Sequence, residues 1–86
     1  MKLSFSKPFT KDYHNLPEQI QHKLDKQLEF LLKDFRHPSL RIKKTKGTND
    51  KIWEGSVTMN YRFTFQIVDD IFLMRRVGTH DILKNP

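Results

Sequence analysis

Residues 61–77 read YRFTFQIVDDIFLMRRV, and this stretch decides the fold. Two runs rich in aromatic and β-branched residues, 61–68 and 71–77, are separated only by the polar pair Asp69-Asp70. Runs of this composition are typical of strands, and a two-residue polar break is typical of a tight hairpin loop. We therefore predict a β-hairpin whose loop is Asp69-Asp70.

The pairing within this hairpin predicts which side chains share a face of the sheet, because successive strand residues point to opposite faces. With the acidic pair as the loop, Thr64 lies opposite Arg75 and Arg62 lies opposite Val77. One face is apolar and suits a helix-covered core: Phe63, Phe65, Ile67, Phe72 and Met74. The other face is polar and is expected to stay open: Arg62, Thr64, Gln66, Leu73 and Arg75.

The preceding segment, residues 52–58, has the composition of a third strand, and Met59-Asn60 follows it as a second hairpin loop. With a two-residue loop at this point, Trp53 and Gly55 share the open face of the sheet. Glu54 then alternates to the face that the helices cover.

The N-terminal half of the chain has the period of helices. Lys2–Ser6 alternates as a short first strand, and Ser6 followed by Pro8 is typical of a helix start. From Pro17 onward an apolar stripe runs with steps of three and four residues: Ile20, Leu24, Leu28, Leu31 and Phe35. His37-Pro38 ends the helical part, because a residue before proline avoids the α conformation.

These elements predict an α+β fold in a single domain, residues 1–86. An N-terminal αα-hairpin packs on one face of a small antiparallel β-sheet. Residues 40–44 add a further strand to this sheet if they are extended.

Positive charge is concentrated in one part of the chain. The formal net charge is +6, and residues 36–51 hold most of it. Six basic side chains lie there against Asp50 alone: Arg36, Arg41, Lys43, Lys44, Lys46 and Lys51. A basic segment of this density favours a surface that follows phosphates, although a solvated loop has the same composition.

The composition also excludes several classes of protein. Without cysteine the chain has neither disulfides nor a thiolate zinc site. No apolar run approaches the roughly 20 residues that span a bilayer, and the first residues have no signal-peptide pattern. We therefore expect a cytoplasmic protein without membrane contact, and we assign it no metal and no cofactor.

Two motifs in the sequence resemble the RelE/ParE superfamily of bacterial toxins from type II toxin–antitoxin pairs. They are the strand 61–67 preceded by Trp53, and the ending Val77-Gly78-Thr79-His80-Asp81. The likeness covers nearly the whole chain, including the αα-hairpin ahead of the basic segment. RelE-type members are ribonucleases that cut mRNA in the ribosomal A site without a metal. The resemblance therefore implies two partners, a cognate antitoxin and mRNA on the 30S A site.

The resemblance also implies catalytic residues. Arg62 matches the strand arginine that steadies the phosphate, and His80 matches the C-terminal histidine that acts as general acid or base. Attack of a 2′-OH on the adjacent phosphate needs one proton acceptor, one proton donor and a cation for the extra negative charge. Histidine can perform either proton transfer near neutral pH. Asp81, Lys43 and Lys44 are the candidates for the partner of His80.

The predicted RNA- and ribosome-binding residues come from the basic segment and from the strands beside it. Trp53 belongs to this set because aromatic rings stack on bases, although a core residue is the alternative for this tryptophan. The complete set is Arg41, Lys43, Lys44, Lys46, Trp53, Arg75 and Arg76.

Two features depart from the family pattern. Some RelE members carry two lysines where this chain has Trp53 and Gly55, and the glutamate base of the YoeB branch has no clear counterpart here. ParE-type members share the fold and inhibit DNA gyrase without a nuclease site. A gyrase-directed toxin and a catalytically inactive RNA-binding protein are therefore alternatives to the nuclease.

Overall fold

The structure is a computed structural model that describes residues 1–45 and 51–86. Two α-helices lie on a five-stranded sheet, which confirms the predicted α+β class. The elements are β1 Lys2–Phe5, α1 Lys7–His14, α2 Glu18–Lys33, β2 Lys43–Lys44, β3 Trp53–Ser56, β4 Arg62–Val68 and β5 Ile71–Gly78, with 3₁₀ helices at Pro38–Leu40 and His80–Lys84. No helix in the described ranges is long and apolar enough to cross a membrane.

The strands are arranged in the order β1-β5-β4-β3-β2, and the sheet is mixed rather than wholly antiparallel. Strand β1 runs parallel to β5, with Leu3 opposite Phe72, whereas the other three pairs are antiparallel. The predicted antiparallel sheet is thus corrected at one edge. No hairpin joins β1 to β5, so no tight turn dictates their relative direction.

Helix α1 begins as predicted. Beyond the end of β1, Ser6 and the helix provide hydrogen-bond partners for backbone groups of β5. The Ser6 side chain accepts a hydrogen bond from the backbone N–H of Phe9, and Pro8 lies in the first turn. The same hydroxyl donates to the carbonyl of Arg75, at 3.0 Å. Asp12 accepts the backbone N–H of Val77, at 3.2 Å. Backbone groups of the last strand that lack a strand partner are therefore satisfied by α1.

Helix α2 supplies the apolar stripe that covers the sheet. Leu24, Leu28 and Leu31 are buried against the aromatic residues of β4 and β5. The helix ends at Lys33, so Phe35 lies beyond it rather than on its stripe. Its ring still packs 6.3 Å from the Phe72 ring, because the chain stays close to the core after the helix ends.

The predicted core face of the hairpin is confirmed for Phe63, Phe65, Phe72 and Met74, which are all buried. Ile67, near the hairpin loop, is 38% exposed. The Asp69-Asp70 loop is also confirmed, since Val68 pairs with Ile71.

The register of β4 and β5 changes halfway along the pair. A β-bulge between Thr64 and Phe65 leaves Arg75 as the extra residue, so Thr64 pairs with Arg76 and Arg62 pairs with Gly78. The predicted pairings with Arg75 and Val77 were wrong by one residue. As a result, Val77 is buried in the core instead of lying on the open face.

The register of β3 and β4 also differs by one residue from the prediction. The backbone N–H of Val57 donates to the carbonyl of Tyr61, so the loop contains residues 58–60 instead of two residues. Thr58 makes this longer loop favourable, because its hydroxyl accepts the backbone N–H groups of Asn60 and Tyr61. Ser56 therefore lies opposite Arg62, and every side chain of β3 is on the face opposite to the one predicted.

Gly55 demonstrates the corrected register. It lies opposite Phe63 on the helix-covered face, where a Cβ atom would come within 2.4 Å of Phe63 Cζ and 2.8 Å of Ile42 Cδ1. Only glycine fits beneath this ring. The predicted place of Gly55 on the open face was therefore wrong.

Candidate functional site

The sheet face away from the helices, here called the far face, carries charged residues of four neighbouring strands. Strand pairing places Lys43 opposite Glu54, Glu54 opposite Thr64, and Ser56 opposite Arg62. The far face is defined by Lys43, Glu54, Arg62, Thr64, Gln66 and Arg75.

Arg62 occupies the far face next to the end of the last strand, opposite Gly78. Its side chain is partly buried, and its Nε is inaccessible and has no hydrogen-bond partner among the described residues. Leaving a buried donor unpaired costs free energy, and for a charged group the cost is larger. An anionic oxygen is the acceptor that best removes this cost, and a guanidinium matches the geometry of a phosphate.

Glu54 is the far-face residue that the sequence prediction missed. Its register position is one diagonal step from Arg62, a separation that long side chains can bridge. The residue is only 5% exposed, and its carboxylate lies 3.7 Å from the ammonium of Lys43. The three-residue hairpin loop and the glycine after Glu54 are the signals that point to this register.

His80 and Asp81 leave the sheet at the Arg62 end of β5. Both begin the final 3₁₀ helix, and both side chains are exposed. His80 follows Gly78, the partner of Arg62, by two residues. Within the described ranges, no hydrogen bond or ion pair joins His80 to Arg62.

The far face is less open than predicted, because residues after β5 fold back over it. Ile82 is buried close to Gly78, where an added Cβ would lie 2.9 Å from Ile82 Cγ2. The main-chain oxygen of Pro86 accepts hydrogen bonds from Thr64 Oγ1 at 3.1 Å and from Arg75 Nε at 3.0 Å. Thr64 is consequently 0% exposed.

The two arginines of the bulge have different surroundings. Arg75 donates through Nη1 to Gln66 Oε1, at 2.8 Å, in addition to its bond with Pro86. Arg76 instead forms a two-point pair with Asp12, with Nε 2.6 Å and Nη2 3.3 Å from the carboxylate oxygens. The hydrogen bond to Asp12 raises the pKa of Arg76 above its usual value. Arg76 thus fastens α1 to the last strand.

The remaining predicted binding residues lie elsewhere. Trp53 pairs with Phe65, which places it on the helix-covered face, so its predicted position beside Arg62 was wrong. The Lys44 ammonium lies over the Trp53 ring, 5.3 Å from its centroid. Arg41 borders the same cleft as Trp53. Lys46 lies outside the described residues.

The comparisons with known proteins identify the fold. No known protein family matches the chain by sequence, and no curated protein is significantly similar to it. Among solved structures, the chain has the fold of RelE-, YoeB- and YafQ-type toxins, which confirms the predicted resemblance at the level of fold.

Three of these structures define the similarity. The YoeB dimer from Staphylococcus aureus has a TM-score of 0.78 and 13% identity, over 93% of this chain and 97% of that chain. YafQ from E. coli strain BL21(DE3) has a TM-score of 0.75 and 17% identity, over 94% of both chains. The RelB–RelE antitoxin–toxin complex from Methanococcus jannaschii has a TM-score of 0.75 and 24% identity, over 95% of both chains.

Proposed function

We propose that this chain is the toxin of a type II toxin–antitoxin pair and that it cuts mRNA on the ribosome. The observation that carries the proposal is the buried Nε of Arg62, which has no hydrogen-bond partner among the described residues. It belongs to a side chain one diagonal register step from Glu54, near the end of β5 from which His80 leaves the sheet. We infer that a phosphate becomes the acceptor for this nitrogen once the residues after β5 move off the far face. The similarity to toxin structures supports the same reading.

In the proposed reaction the 2′-oxygen attacks the adjacent phosphorus and the bond from phosphorus to the 5′-oxygen breaks, which leaves a 2′,3′-cyclic phosphate. Glu54 accepts the proton of the 2′-OH, and His80 returns a proton to the 5′-oxygen. Arg62 stabilises the extra negative charge on the phosphate in the transition state. Metal ions are not required by this scheme, because all three tasks are performed by side chains.

The proposed protein partner is a cognate antitoxin. Solved relatives of similar fold include antitoxin–toxin complexes, RelB–RelE and DinJ–YafQ. We expect the antitoxin to bring acidic side chains to the basic segment, because charge complementarity speeds association and suppresses wrong partners.

A gyrase-directed toxin is the second candidate, favoured by two observations. The far face is covered in part by Ile82 and Pro86, and His80 makes no bond to Arg62 in the described chain. A protein that acts by binding another protein does not need that face to be free.

The deciding experiment expresses the toxin briefly and maps mRNA 5′ ends, with a DNA-supercoiling assay in parallel. We expect cuts that follow the reading frame, together with growth arrest that the neighbouring gene product relieves. Arg62→Ala should reduce cleavage about 10²–10³-fold and His80→Gln about 10²–10⁴-fold. Lys2→Gln, an exposed change on β1, is the matched control and should cleave normally.

Uncut mRNA with full toxicity of His80→Gln would refute the nuclease. Altered supercoiling under the same conditions would then favour the gyrase-directed toxin.

A further inference from the structure

A cleft beside strand β2, here called the Trp53 cleft, lies on the other side of the sheet from Arg62. Its lining includes Phe35, Arg36, Pro38, Arg41, Ile42 and Trp53, and its volume is about 460 Å³. Strand pairing separates it from the far face, because Trp53 shares the helix-covered face with Phe65. The cleft is therefore distinct from the proposed catalytic site.

A positively charged side chain lies over each of two aromatic rings of the Trp53 cleft. The Arg36 guanidinium carbon is 5.9 Å from the Phe35 ring centroid, and the Lys44 ammonium is 5.3 Å from the Trp53 ring centroid. Energetically significant cation–π pairs occur about once per 70–80 residues, so two pairs in one cleft exceed the average frequency. The cleft combines flat apolar surfaces with positive charge.

The charge of the Trp53 cleft is uncompensated within its lining. Arg36 and Arg41 border it, Lys44 lies over its tryptophan, and none of the described residues that line it is acidic. The backbone of Arg41 also has a φ of 49°, in the left-handed region, which costs free energy for any residue other than glycine. A ligand that is flat and negatively charged matches the aromatic surfaces and the positive charge of the cleft.

We propose that the Trp53 cleft binds one nucleotide of single-stranded RNA, an inference that rests on the proposed RNA target. The base stacks on the Trp53 ring, while Lys44 and Arg41 bind the phosphates on either side of it. Stacking platforms bordered by cations are the general means by which proteins hold single-stranded nucleic acid. The RNA thus meets the protein on both sides of the sheet, with one contact at the cleft and the other at Arg62.

The test uses the intrinsic fluorescence of Trp53, which is the only tryptophan of the chain. The intact protein is titrated with a 2′-O-methyl hexanucleotide, which cannot be cleaved because its 2′-oxygen carries no proton. We expect saturable quenching with a steep salt dependence. Inorganic phosphate and hexaglutamate at equal charge should quench far more weakly.

Variants locate the binding. Arg41→Gln and Lys44→Gln should each weaken binding and reduce the slope of log affinity against log salt by about 0.7, the value for one phosphate contact in a single strand. Lys2→Gln, on the opposite edge strand, should leave both quantities unchanged. Trp53→Ala should weaken binding about 5- to 150-fold, measured by anisotropy of a labelled oligonucleotide. Trp53→Phe, which keeps a packed ring, should restore most of it.

Several results would overturn the inference. They are binding without quenching, equal quenching by inorganic phosphate or hexaglutamate, and equal effects of Lys44→Gln and Lys2→Gln. The two proposals also fail separately. Quenching without mRNA cleavage would refute the nuclease alone, whereas cleavage without quenching would refute the Trp53 cleft alone.

Discussion

Glu54 lies directly opposite Thr64 across the β3–β4 pair, and this relationship places a carboxylate on the same sheet face as Arg62. In the proposed mechanism, Glu54 is the second proton-transfer group, for which the sequence pattern offers no clear candidate. Glu54 is buried, and its carboxylate lies 3.7 Å from the exposed ammonium of Lys43.

Glu54→Gln should reduce mRNA cleavage about 10²–10⁴-fold, because glutamine keeps the size of the side chain but cannot accept the proton of the 2′-OH. The free energy of unfolding should change by less than about 1 kcal/mol, since the ion pair that is lost involves an exposed lysine. Primer extension on ribosome-bound mRNA and urea unfolding measure the two effects. Glu29→Gln, an exposed change on α2, is the control. Normal cleavage by Glu54→Gln would remove the residue from the mechanism.

Gly55→Ala tests the register of β3 directly. A methyl group at this position would meet the Phe63 ring at 2.4 Å, so we expect a loss of roughly 1–3 kcal/mol in the free energy of unfolding, as for an overpacked core. If Gly55 were on the open face, alanine would be neutral or slightly stabilising, because glycine weakens strands. Denaturant unfolding separates these outcomes. An unchanged midpoint would contradict the observed register.

Leu28→Ala and Leu32→Ala compare the two faces of helix α2. Leu28 is 7% exposed and Leu32 is 41% exposed. Truncation of the buried leucine should cost about 2–5 kcal/mol, whereas truncation of the exposed one should cost no more than about 0.5 kcal/mol. Thermal unfolding of both variants gives the comparison. Equal losses would mean that both side chains are buried, for example by a second protein chain.

Residues 83–86 cover part of the far face, and deleting them should expose it. Thr64 and Arg75 would lose their bonds to the Pro86 oxygen and become donors for RNA phosphates. We expect affinity for a 2′-O-methyl oligonucleotide to rise about 2- to 10-fold, the equivalent of one net hydrogen bond. Ile82 is retained in this variant because its side chain is buried near Gly78.

The reverse result would assign a different role to this segment. If the deletion lowers affinity while circular dichroism and unfolding stay normal, residues 83–86 contribute contacts to RNA instead of competing with it. Arg75→Gln separates the cases, since it removes the shared donor. In the full-length chain it should weaken RNA binding less than it does in the deletion variant.

Composition and periodicity alone were sufficient for the class of fold. The Asp69-Asp70 loop, the Ser6 cap, the buried face of α2 and the four core residues of the hairpin were all predicted from local patterns. Each of these features depends either on interactions between residues close in the sequence or on the period of the apolar residues. Both can be read directly from the amino-acid sequence. Arg62 was also predicted correctly to lie away from the helices.

Strand register, the direction of β1 and the cover over the far face were decided only by the tertiary structure. One extra residue in the loop at 58–60 moved Trp53 off the far face and Glu54 onto it, because side chains alternate with a period of two. The bulge at Arg75 and the return of Pro86 onto Thr64 depend on partners distant in the sequence. The sequence thus determined which residues are available for chemistry, and long-range packing decided which of them share a face.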